Sequence, residues 1–551
     1  MPYSISAEVQ KEPHQPPEKQ TSKAGIFLYA ILLSGILFRL FHFIHNRSLW
    51  LDELYVSLNL ITAGFKELAS PLLEYQQKAP IGFLWTAKCA MLLFGSQEQA
   101  LRLVPLISGI AALLCFLPVC RYWLKPAGQL AAMGMMAFAP PLIYHAVEVK
   151  QYSTELFATV LCLWLYTRFY RKTDIKSRLI WGASGALILW FSYSSVFILT
   201  GIGAAVCLDL VVKKDWKTFS KMCIPFFMWF SSFAVHYILI TSKQVDQAWL
   251  LFWFRHYNSF MPLPVWSPDT ITWLFRRLYT MLDYPLGLLW NFTTADSTAL
   301  RIMLKMSFIP LSLALTGVYA FFKNDKRALT LLTLPLLLTL IASAFERYPF
   351  FERLLVFLSP LALLLIARGC DQAIKSISVL QRRQYVLPVL LLIGGLSAST
   401  ADVVHPGTFG RYKKSYQKEA LLYIDRHYQE GDVVYLYWNM DYGYRYYKKA
   451  YKLRYNAIEG SDIKFAAANP TDYIQHLKPD LRQIKGKRRV WIVYNTKLWN
   501  DIGEIESKPD WYNKSQPGEF LYRELARKGH KKESFKLDDV HVHLFDLSYF
   551  H

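Results

Sequence analysis

The sequence predicts a polytopic α-helical membrane protein of about eleven crossings, followed by a soluble α/β domain. Three observations predict it. Hydrophobic residues make up 53% of the 551 and charged residues only 19%, where soluble domains carry about 25% charge. Between 24 and 401 the apolar residues gather into runs of roughly 17 to 25, the helix length that crosses a hydrocarbon core about 30 Å thick. After 401 the pattern changes to short alternating segments rich in Lys, Tyr and Asp.

The tail 1–23, with Pro2, Pro13, Pro16 and Pro17 among Gln, Glu and Lys, reads as disordered and cytoplasmic. It lacks the charged, apolar and cleavage-site plan of a secretory signal, so the first span is expected to be retained. Crossings are expected near 24–44, 99–120, 128–147, 152–170, 178–194, 196–212, 219–241, 302–322, 327–344, 354–368 and 384–401. Outer loops fall at 45–98 and 242–301, the second rich in Trp and Phe as an interfacial belt. The apolar stretch 80–94 is too short to cross and carries Lys88 near its middle, which suits a helix lying at the interface.

The net charge is +21, and its position decides what it means. Residues 402–551 hold 26 Lys plus Arg against 20 Asp plus Glu, which leaves +15 in the membrane part. That excess sits in short loops, among them Arg168, Arg171, Lys172, Lys213, Lys214, Lys217, Lys326, Arg327, Arg382 and Arg383. Basic loops between apolar spans orient a chain with those loops in the cytoplasm; they do not point to nucleic acid. With 80–94 not crossing, the loop after the first span faces outward and the basic loops fall inside.

The segment 402–551 reads as a soluble extracytoplasmic α/β domain, with strands near 432–437, 489–494 and 540–547 and a helix near 416–428. It has no Gly-rich phosphate loop; acceptor recognition and a purely structural cap both fit it. All seven cysteines precede it, so no disulfide framework is expected. Sequons at Asn46, Asn291 and Asn513 are short motifs that occur by chance.

Three outer loops carry most of the informative polar residues. The first holds Asp52 and Glu53 directly after the first span, then Glu74, Gln76, Gln77 and Lys78. The second runs His145-Ala146-Val147-Glu148-Val149-Lys150-Gln151-Tyr152, and a later one holds Glu346, Arg347, Glu352 and Arg353. Each has a plain structural reading. Asp52 and Glu53 suit the positive end of a helix dipole, Lys78 could snorkel, Glu148 could pair with Lys150, and Arg347 and Arg353 could anchor headgroups. Their common side and order favour one cavity.

That order carries a resemblance. RSLWLDELYVSLNLI, QQKAPIGFLWTAKCAMLLFGSQEQALRLVPLISG and APPLIYHAVEVKQYSTELFATVLCLWLYTRFY resemble the N-terminal half of the polyprenyl-phosphate-dependent glycosyltransferases of the GT-C fold, protein O-mannosyltransferases and lipid A aminoarabinose transferases in particular. The likeness covers roughly 24–210 well, the later spans loosely and the C-terminal domain weakly. It implies Asp52 as the catalytic carboxylate, Glu53 as its neighbour, Glu148 as the second acidic position, and Lys78 as a donor-phosphate ligand. Some relatives have an Arg one turn after the catalytic Asp where this chain has Tyr55, so Arg347 is expected to share the phosphate with Lys78. Mannosyltransferases commonly have His at the position of Lys78, which tilts the match toward the aminoarabinose branch.

The implied chemistry suits these residue types. Cations stabilise charge growing on a departing phosphate, and a positioned carboxylate takes the proton of an acceptor hydroxyl or amine. The partners expected are a polyprenyl-phosphate-linked sugar, a lipid, glycan or protein acceptor, and membrane lipids, at the outer face of a bacterial inner membrane. No cofactor is assigned. His42 and His45 stand at helical spacing without a third ligand, which assigns no metal site and leaves a divalent metal open. A transporter or flippase of lipid-linked saccharides and a polymerase or ligase of lipid-linked oligosaccharides are the alternatives; the former predicts ionisable residues lining a path through the spans.

Overall fold

A computed structural model describes residues 23–70, 73–244, 248–290 and 303–548. The tail expected to be disordered, up to residue 22, and the sequon at Asn291 lie outside them. Seven described helices are long and apolar enough to cross a membrane: Ala24–His45, Glu98–Trp123, Ser195–Val212, Trp216–Lys243, Lys326–Ala344, Glu352–Ser376 and Val386–Val404. The other four expected crossings are helical but shorter or more polar. The chain breaks at Ala139 into Pro126–Phe138 and Pro140–His145, because Pro140 cannot donate a backbone bond and disfavours helical geometry in the residue before it. Tyr152–Phe169 carries Glu155 and Arg168, while Ile175–Ile188 has 14 residues and Phe308–Asn324 has 17. The fold is that of a polytopic membrane protein with a C-terminal sheet domain. The segment expected to lie at the interface forms a 14-residue helix, Ile81–Phe94, whose Lys88 is buried and donates to the Leu60 carbonyl at 2.7 Å.

Packing of the bundle follows membrane rules: large side chains such as Phe227, Phe230 and Leu315 stay exposed toward lipid, and small residues let backbones meet. Helices Phe308–Asn324 and Ser359–Ser376 cross at Gly317 and Gly369, where an added Cβ would stand 1.9 Å from the Leu365 carbonyl oxygen and 1.8 Å from that of Leu313. The short helix Pro126–Phe138 is closed at both ends by charges from other helices. Asp371 accepts from Lys125 N and Gly128 N, each at 2.8 Å, at its N-terminus. Arg39, buried in the first span, donates to the Met136 and Ala137 carbonyls at its C-terminus. Both satisfy backbone groups that a helix end leaves open and both match the helix dipole.

The C-terminal domain is built on a five-stranded sheet of order β2-β1-β3-β5-β4, with β1 Val433–Leu436, β2 Ala457–Glu459, β3 Val490–Asn495, β4 His530–Lys536 and β5 Val540–Asp546. β1 runs parallel to β2 and β3, and β5 antiparallel to β3 and β4. The central β3 is buried along its whole length, as the apolar run from Val490 to Tyr494 requires, and Asn495 at its end is hydrogen-bonded to Asp539. The edge β4 reads HKKESFK, and its lysines guard against edge pairing.

This domain is bolted to the loop that follows the first span. From the helix Asp441–Tyr451, Tyr447 Oη receives the Leu49 amide at 2.9 Å and lies 3.1 Å from Ser48 Oγ. Tyr446 and Tyr451 donate to the Ser96 carbonyl and to Glu98 Oε2 at 2.9 and 2.6 Å, and Lys418 reaches the Asn46 carbonyl at 2.6 Å. The chain just ahead of Asp52 is therefore held by Tyr447 and Lys418 of this domain.

Candidate active site

Asp52 and Glu53 open the helix Leu51–Thr62, and consecutive helical residues point about 100° apart. Asp52 turns to a large cavity of about 1390 Å³, while Glu53 turns into protein. The Asp52 carboxylate lies between two cations, with Oδ2 2.9 Å from Arg353 Nη2 and Oδ1 3.6 Å from Lys150 Nζ. Burial pushes its pKa up, and the charges of Arg353 and Lys150 outweigh burial and hold it below the usual carboxylate range. Lys150 is itself buried and donates to Gln77 Oε1 at 2.6 Å. The Arg353 guanidinium lies over the rings of Trp50 and Trp253, at 5.8 and 5.7 Å from their centroids.

Glu53 serves a different structure. It is completely buried, takes Arg102 through three contacts of 3.0 to 3.2 Å and Arg47 at 2.6 Å, and accepts the Val149 amide at 2.9 Å. It thereby ties the loop after the first span to the loop after the third. Glu148, also fully buried, binds His145 Nδ1 through Oε2 at 2.6 Å and receives Trp50 Nε1 on Oε1 at 3.0 Å. Burial pushes its pKa up, but His145, Lys413 and Arg47 prevail and bring it down to about 2. His145 Nε2 meets Tyr284 Oη, which also receives Lys413 Nζ at 2.6 Å.

Of the five site residues expected from the sequence, Asp52, Lys78 and Arg347 line the large cavity, and Glu53 and Glu148 lie behind its wall. Arg347 is exposed, and among the described residues its side chain makes no hydrogen bond or ion pair. The plain structural reading paired Glu148 with Lys150, but that lysine reaches Asp52 instead and Glu148 takes His145. Sequence reasoning also passed over Arg353 as a site residue and Lys413 altogether. Arg353 had the same signal as Arg347, six residues away in the same loop; Lys413 had only its place just past the last span. The helix Ala248–His256 and the C-terminal segment around Asp501 and Lys508 close the cavity's far side. Among the described residues no three of His, Cys, Asp and Glu are placed to hold a metal ion.

No family model matches the chain, and no curated protein matches it significantly. Solved structures do. A crystal structure of ArnT from Cupriavidus metallidurans in the apo state aligns over 96% of this chain and 98% of its own, with a TM-score of 0.52 and 13% identity. The same protein bound to undecaprenyl phosphate aligns over 95% and 98%, with a TM-score of 0.51 and 12% identity. The chain has the GT-C fold. The match runs through the C-terminal domain, so the GT-C likeness covers the whole molecule and not only the N-terminal half in which the sequence resemblance was strongest.

Proposed function

We propose that this protein is a membrane glycosyltransferase that moves a sugar from a polyprenyl-phosphate donor to a lipid, glycan or protein acceptor in one inverting displacement. The observation that carries the reading is the pairing of Asp52 with Arg353 on the wall of one large cavity, with Lys150 buried behind the carboxylate and Lys78 and Arg347 beside it, in a GT-C fold. That ArnT has been solved with undecaprenyl phosphate supports a polyprenyl carrier for the donor. The basic loops on the opposite side of the bundle support an active site on the outer face of the inner membrane.

The chemistry follows from the ion pairs. A donor phosphate in the cavity brings negative charge to Arg353 and competes with Asp52 for it, while Lys78 and Arg347 take its outer oxygens. As Arg353 turns to phosphate, Asp52 loses the larger of the two charges that hold its proton affinity down and becomes a stronger base. The anomeric carbon–oxygen bond then breaks with its electron pair going to the phosphate oxygen, the acceptor oxygen or nitrogen bonds to that carbon, and the acceptor proton passes to Asp52. Charge stabilisation of this kind is worth about 10²–10³ in rate for one donor group. General-base action adds about 10²–10⁴. Glu53 and Glu148 act from behind, holding the loops in place.

The test is to incubate purified protein with a panel of polyprenyl-phosphate sugars and follow release of polyprenyl phosphate. Consumption of one donor is the expected result. Movement of intact lipid-linked sugar across vesicles without bond cleavage would instead make the protein a flippase.

A further inference from the structure

A second cavity, of about 270 Å³, lies beside the first, and the two share Glu352 and Tyr412 as lining residues. We propose that Glu352 is the acceptor-binding carboxylate and that the reacting hydroxyl or amine of the acceptor comes to it from the smaller cavity. The inference rests on the transferase reading above.

Glu352 differs from the other carboxylates of the site. Asp52 is clamped by two cations, Glu53 by two arginines and Glu148 by a histidine. Glu352 has no ion pair among the described residues, and its one hydrogen bond comes from Tyr412 Oη, 2.9 Å from Oε2. The phenol fixes one oxygen and leaves acceptor capacity on the carboxylate for a group that donates a hydrogen bond. The backbone is also unusual there: Glu352 has φ of +24°, a region that non-glycine residues rarely enter and that tends to mark functional sites. That conformation sets consecutive side chains to different tasks, with Arg353 reaching Asp52 in the large cavity and Glu352 standing at the partition.

The smaller cavity has the character of a headgroup site. Pro140, Leu289 and Leu355 give it apolar walls. Lys413 is buried at its edge, its ammonium 4.3 Å from the Tyr284 ring centre and 5.6 Å from that of Tyr412. The acceptor class this fits is a polar headgroup presenting a hydroxyl or amine on an apolar stem. Glu352 binds and orients that donor group, and the proton leaves to Asp52 as described.

The test compares wild type with Glu352→Gln, which keeps the shape, and with Tyr412→Phe, which keeps the carboxylate and removes its tether. Undecaprenyl phosphate binding, read by tryptophan fluorescence, reports folding and the donor side. A total lipid extract from cells lacking the protein serves as acceptor, titrated against release of polyprenyl phosphate from the donor that wild type consumes. Glu352→Gln is expected to raise the extract concentration for half-maximal rate at least tenfold, and Tyr412→Phe about threefold, with undecaprenyl phosphate affinity within twofold of wild type. Unchanged extract dependence in Glu352→Gln overturns the assignment and leaves the transferase reading standing. A wild type that binds no undecaprenyl phosphate and consumes no donor overturns both.

Discussion

Asp52 and Glu53 are joined by one peptide bond and belong to two different regions of the molecule. Asp52 keeps 19% of its side chain exposed, in a cavity with two cations at 2.9 and 3.6 Å, while Glu53 keeps none and is locked to Arg102 and Arg47. Two carboxylates with the same neighbours in sequence thus do different work. In the open region the carboxylate is paired with an arginine that itself lines the cavity and so lies within reach of a ligand. In the sealed region every oxygen is already committed, and the charge can serve only to hold loops together. In the proposed mechanism, access to the cavity and not pairing strength distinguishes Asp52 from Glu53.

Substitutions should separate the two regions sharply. The largest expected effect is on stability: Glu53→Gln leaves the buried Arg102 and the half-buried Arg47 uncompensated and should cost about 3–5 kcal/mol, read as a lower unfolding temperature in detergent. Normal stability in that variant would place Glu53 in the open region after all. Next, Arg353→Ala should lower turnover about 10²–10³-fold with the fold intact. Arg347→Ala, whose exposed charge is screened by solvent and salt, should cost less than about tenfold. Equal losses would show that the cavity does not rank its cations by proximity to Asp52. Tyr447→Phe removes the hydroxyl that holds Leu49 and Ser48 and should destabilise by about 1–3 kcal/mol.

The last effect concerns pH. Burial brings Lys413 down to about 8 from an ordinary value of 10.5. Between those two values the unfolded chain holds a proton that the folded protein has released, so stability rises with pH across that window. Lys413→Met should flatten the rise, visible in unfolding temperatures measured from pH 7.5 to 10.5. A rise of equal slope in the variant would assign it to other groups.

Much of this was legible in the residues, for identifiable reasons. Apolar run length marked the seven long spans, and the short run with Lys88 marked a helix too short to cross, because the bilayer thickness is a fixed ruler. Strands β1, β3 and β5 stood out because they are apolar and β-branched. The edges β2 and β4 did not, one being three residues long and the other mostly charged. In the site, loop membership could be read and pairing could not. Lys150 lies two residues from Glu148 and yet reaches Asp52, 98 positions earlier, while Arg353 reaches the same carboxylate from 301 positions away. Partners at that separation are chosen by how helices pack and where their ends point. No local pattern encodes that choice, and so Arg347 and Arg353 looked alike until the turn at Glu352 set them apart.

The most direct test of the account is donor turnover by Asp52→Asn beside wild type, with undecaprenyl phosphate binding measured on the same preparations. The account predicts that the variant folds, binds the lipid phosphate and releases polyprenyl phosphate from the sugar donor about 10²–10⁴ times more slowly. Turnover within a few-fold of wild type would contradict it, and would remove Asp52 from the chemistry.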